Sequence, residues 1–108
     1  MNDPKTPHTP LSDAMAFLRS AVERLAVGDG TPRERARRAL EMVGYAERTR
    51  AALPAALVAR LEHVAEWARI DPTLEELPDR DVAYLAIGIV AALHEAVRLQ
   101  AIKTAGVN

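Results

Sequence analysis

An all-α fold follows from three features of this sequence. Hydrophobic residues make up 49% of it but aromatics only 4%, so alanine, leucine and valine must build the core. Alanine and leucine are strong helix formers, while strand-favouring aromatics, isoleucine and threonine are scarce. Apolar residues also recur at helical spacing, in segments opened by capping residues and prolines. The expected architecture is a compact antiparallel bundle of four helices, with a short extra helical turn before the last. Residues 1–11 are expected to be a mobile arm and residues 12–106 a single domain, since 108 residues normally make one.

The arm has three prolines among its first ten residues and no apolar run. It has little to bury and does not resemble a secretory signal. The first helix is expected to start at Ser12, as cap, with Asp13 against the helix dipole. Ala14, Phe17, Leu18, Ala21 and Leu25 form its apolar face, and Gly28-Asp29-Gly30 ends it.

Thr31-Pro32-Arg33-Glu34 is the sharpest start signal: a cap, a proline at the first helical position, and a glutamate placed to close a capping box. Ala36, Ala39, Leu40, Val43 and Ala46 make the inner face of this second helix. It is expected to reach Ala51 or Ala52, because Pro54 disfavours helical geometry at Leu53. The third helix carries Leu57, Leu61, Val64, Ala65 and Ala68 on one face. Whether these are two helices or one kinked at Pro54 is open at this stage.

Asp71-Pro72 opens the expected short turn through Leu77, and Pro78-Asp79 launches the longest helix, expected to end at Gly106. Val82 to Val97 carries no charge in its first twelve residues, until His94 and Glu95 arrive together. That is short of the ~20 apolar residues a bilayer requires, so it is expected to be a core helix and not a membrane span. Val82, Leu85, Ala86, Ile89, Val90, Leu93, Ala96 and Val97 give it a broad aliphatic face. Gly88, Ala92 and Ala96 give it a second strip of small residues, which lets another backbone approach closely. Such a helix needs cover nearly all round, and a homodimer is expected to supply what three partner helices leave bare.

The charge pattern narrows the function classes. Fourteen basic and fifteen acidic residues give a net charge of −1, which argues against a dominant polyanion-binding field. The absence of cysteine suits a reducing, cytoplasmic setting and removes thiolate metal sites. Charge is nevertheless segregated: residues 33–50 hold six arginines against three glutamates, and residues 71–81 hold five acids against one arginine. Arg33, Arg35, Arg37 and Arg38 are thus candidates for nucleic-acid binding, the alternative reading.

No catalytic constellation emerges. His94 lacks the lysine and glycine pattern that follows the phosphoacceptor in histidine phosphotransfer domains, and reads as a partly buried rim residue bonded to a neighbour. Glu62, His63 and Glu66 have the wrong order for a di-iron Glu-x-x-His pair, and Ala91 stands where His94 would need its carboxylate. Glu75, Glu76, Asp79 and Asp81 cluster at helix starts, where caps and dipole partners belong. No metal or cofactor is expected.

Arg60, His63 and Trp67 share one flank of the third helix, in the chemistry of a protein-binding hot spot. The partner-binding candidates are these three with Gly88 and Ala92. The expected function is therefore non-catalytic: self-association, or accessory or regulatory binding of another protein. A third possibility is a small apolar ligand held between helices by Leu85, Ile89 and Leu93.

Overall fold

The computed structural model describes residues 9–27, 29–71 and 73–105. Four helices form the bundle: α1 (Pro10–Ala26), α2 (Pro32–Glu47), α3 (Ala55–Ile70) and α4 (Asp79–Ala105). They alternate in direction. Each packs on its neighbours in chain order, α4 closes the ring against α1, and α2 touches α4 across the diagonal.

The first helix starts two residues earlier than the sequence suggests. Thr9 is its cap, Pro10 occupies the first helical position, and Ser12 sits third. Ser12 N–H donates to Thr9 Oγ1 at 3.1 Å, and Thr9 N–H donates to Ser12 Oγ at 3.0 Å. Pro10 thus belongs to the fold, not to the arm, because its fixed φ suits a first helical residue. Residues 1–8 and Gly28 and Gly106, where two of the expected boundaries fall, lie outside the described residues.

Thr31 and Glu34 close the predicted capping box, with Glu34 N–H donating to Thr31 Oγ1 at 3.2 Å. The second helix ends at Glu47, earlier than expected. Thr49 stops it by turning both its N–H (3.2 Å) and its hydroxyl (3.0 Å) onto Ala46 O, which tightens the chain into a 3₁₀ turn at Arg50–Ala52. Leu53 is extended, as a residue before proline should be, so α2 and α3 are separate helices.

Between α3 and α4 the extra turn is a single one, closed by Leu74 N–H donating to Asp71 O at 3.0 Å. It does not continue as helix, because Leu74 adopts a φ of 60°. That left-handed conformation disfavours a residue with a Cβ. It lets the Leu74 side chain enter the core, where it is fully buried.

The core is aliphatic and continuous: Leu18 and Ala21 from α1, Ala36, Ala39 and Val43 from α2, Leu57, Leu61 and Val64 from α3, and Val82, Leu85, Ile89, Ala92 and Ala96 from α4. No charged or polar residue is buried in it among the described residues. Gly88 marks a close approach of α3 and α4: a Cβ built there lies 3.2 Å from Val64 Cγ2.

Candidate functional site

The predicted aliphatic face of α4 is only half covered. Leu85 and Ile89 are fully buried, but Val97, expected on the inner face, is 42% exposed. It lies at the edge of that face, and the shorter partner helices do not reach round to it. On the outer side, Tyr84 and Ile87 are each 62% exposed and Ile102 is 55% exposed. Ala83 is exposed as well, with Val90 and Ala91 half-buried between them. The most apolar 18-residue window within Asp79–Lys103 has a mean hydropathy of 1.6, enough by length and composition alone to cross a membrane, and 28% of that window is buried in the bundle. An apolar stripe of this kind on an outer face marks a contact surface.

Ala92 has no exposed surface, and Gly88 faces Val64, so these two candidates are engaged within the chain. Arg60 and His63 are exposed and Trp67 is half-buried against the core. Arg60 Nε lies 3.9 Å from Glu95 Oε1. With the Gly88–Val64 approach, this pairing runs α3 antiparallel to α4. Trp67, about one turn beyond Val64, therefore comes to the level of Tyr84. The flank of α3 is thus tied to α4 through Arg60 and Glu95, which their separation in sequence conceals.

His94 and Glu95 part company. His94 is exposed on the outer face, without a hydrogen bond or ion pair among the described residues, so it is not the partly buried, bonded residue expected. Glu95 is 12% exposed at its side chain and binds Arg98, whose Nε donates to Oε2 at 2.8 Å, as well as Arg60. It is a strut between α3 and α4. Among the described residues no cluster of three or more histidines and acids could hold a metal ion.

The arginines of α2 meet the acidic connector. Arg33 donates to the Leu74 carbonyl oxygen and to Asp79 Oδ1, the latter at 2.8 Å. Arg37 Nε donates to Thr73 O at 2.9 Å, and Arg38 donates to Asp29 O at 2.8 Å. Arg35 is half-buried, its Nε closed off from solvent without a hydrogen-bond partner. The two segments are joined within one molecule by the Arg33–Asp79 ion pair and by arginine hydrogen bonds to connector carbonyls, a contact that sequence shows only as two separate biases.

Two carboxyls are perturbed. The Glu34 carboxyl is held below the usual carboxylate value, first by the Thr31 N–H and then by the Thr31 hydroxyl. Asp71 is lowered chiefly by the Glu76 N–H, which donates to Oδ2 at 2.7 Å, with Thr73 adding its hydroxyl at 2.9 Å. Both are turn and cap carboxylates.

Leu85 and Ile89, expected to line a ligand cavity, are packed shut. A groove of about 740 Å³ opens instead between the end of α1 and the starts of α2 and α4, lined by Leu25, Pro32, Arg33, Asp79, Val82 and Ala86 among others. No family model matches the sequence, and neither the curated proteins nor the solved structures contain a significant match.

Proposed function

We propose that this chain is a non-catalytic contact protein that works by binding protein, through self-association or as an accessory subunit, with the outer face of α4 as its contact surface. The observation that carries this reading is the uncharged apolar stripe of Ala83, Tyr84, Ile87, Val90 and Ala91, whose first three residues are exposed and whose last two are half-buried, opposite the face that fills the core. Tyr84, 62% exposed on this stripe, supplies an amphipathic aromatic of the kind that dominates protein contacts. The arginines support a nucleic-acid reading less well, because Arg33, Arg37 and Arg38 already donate to acceptors of their own chain.

The test compares the native chain with Ile87→Asp. A charge at the centre of the stripe carries a large desolvation penalty in any apolar interface. The variant is expected to keep its helicity, because Ile87 is exposed, and to lose whatever protein the native chain retains, including itself. Unchanged association and unchanged partner retention would reject the outer face as the contact surface.

A further inference from the structure

We infer that the groove between the end of α1 and the starts of α2 and α4 is a binding site for a small neutral molecule. Its ligand has an apolar body and one polar head that both donates and accepts hydrogen bonds. The inference is independent of the contact surface proposed above. At about 740 Å³ the groove is of the size of small-molecule sites, roughly 300–1,000 Å³.

The apolar walls come from two helices. Leu25, half-buried, stands in the last turn of α1, and Val82, Ala83 and Ala86 stand in the first turns of α4. Residues 82, 83 and 86 share one side of that helix, being three and four apart. Val82 is buried and forms the floor, while Ala83 is exposed and Ala86 half-buried. Both are small where the adjoining Tyr84 and Ile87 are large, and their size leaves the hollow open.

Charge selects the ligand. The polar side of the groove is Arg33 and Asp79, joined at 2.8 Å, so its formal charge cancels. The positive ends of both helices already hold carboxylates, Glu34 in the first turn of α2 and Asp79 and Asp81 in that of α4. An anion in the groove therefore meets Asp79 as well as Arg33, and a cation meets Arg33 as well as Asp79. Either would lose hydration without gaining a counter-ion of its own. A neutral head avoids that cost, and the ion pair can bind one. Arg33 donates once to the Leu74 carbonyl oxygen and once to Asp79 Oδ1, which leaves other guanidinium N–H groups uncommitted. Asp79 Oδ2 has no hydrogen-bond partner among the described residues, and the side chain is fully exposed. Donor and acceptor thus stand side by side, a pattern that a carboxamide matches with its carbonyl oxygen and its N–H.

The test uses one apolar body with three heads: naphthalene-2-carboxamide, naphthalene-2-carboxylate and naphthalen-2-ylmethylammonium. Each is titrated into the isotope-labelled chain while backbone amide shifts are followed by NMR. The carboxamide is expected to shift Thr31, Arg33, Val82 and Ala86 saturably, with a Kd of about 1 mM or tighter. The two charged probes are expected to bind about tenfold or more weakly. Ala86→Phe, which fills the groove, is expected to abolish the shifts, and Ile87→Asp, on the outer face, to leave them unchanged. Ala83→Phe, at an exposed position, repeats the filling test should Ala86→Phe lose helicity. No saturable shift with any probe would overturn the site. A charged probe that binds as tightly as the carboxamide would overturn the neutral class. Shifts that survive both filling variants and vanish in Ile87→Asp would overturn the groove in favour of the outer face.

Discussion

Asp71 organises a connector that has almost no regular structure. Its two oxygens accept from Thr73 and Glu76, and its carbonyl accepts from Leu74. Because these bonds need the carboxylate, its folded pKa is depressed, and the stability they add is present above the unfolded value. It is lost as pH falls through the lower folded value. Thermal melts between neutral and strongly acidic pH should show this loss, and Asp71→Asn should reduce the acid-side slope. Glu34 titrates in the same sense through its capping box. Thr31→Ala, which removes the reciprocal cap, is expected to cost about 1 kcal/mol in urea unfolding. The Thr31 cap was legible because all of its partners lie within four residues. Leu74 was not, since its left-handed backbone and its burial are set among distant residues, Arg33, which donates to its carbonyl oxygen, being forty-one positions away. The earlier Thr9-Pro10 start has the same Thr-Pro form as Thr31-Pro32, but Ser12 in the acceptor's place of Glu34 disguised it.

Among the helices, the strip Gly88, Ala92, Ala96 shows what residue spacing does and does not specify. Small residues four apart predict that some backbone comes near. They carry no address, and here the neighbour at Gly88 is α3 of the same chain. The outward surface of α4 is instead the larger-residue stripe of Tyr84 and Ile87, which sequence alone merges with the core face because both are apolar. One helix-length expectation changes here as well. The end of α2 is set by Thr49, a local hydroxyl that competes for Ala46 O, ahead of the proline that appeared to govern it. Gly88→Leu is expected to overpack the α3–α4 contact and cost about 1–3 kcal/mol, again read by urea unfolding. Leu61→Ala, which empties a fully buried site on α3, is expected to cost about 2–5 kcal/mol.

For the whole molecule, the fold class and the four-helix order were legible, since composition and periodicity act along the chain. The pairing of charge was not. An arginine-rich segment and an acid-rich segment read equally well as surfaces for outside partners until the bundle joins them by one ion pair, Arg33–Asp79, and by hydrogen bonds to backbone carbonyls. The consequence is measurable: Arg33→Met with Arg37→Met should release the connector, so that amides 73–77 exchange hydrogen faster while those of α3 change little. The native chain, its arginines engaged in this way, is expected not to retard DNA or RNA even at low salt; retardation that weakens steeply as salt rises would reopen that surface as a binding site.

The contact between α1 and α2, the most extensive in the molecule, has a kinetic consequence. Both helices carry complete capping boxes at their starts, and only five residues separate them. Short loops close quickly, and capped helices gain stability before any distant partner arrives. The α1–α2 hairpin is thus the expected folding nucleus, with the connector and its Leu74 plug locking last. Conservative truncations of Leu18 should slow refolding, whereas those of Leu74 should mainly hasten unfolding. A molecule that closes in this order would have its outer α4 stripe in place only once the latch at Arg33 has set.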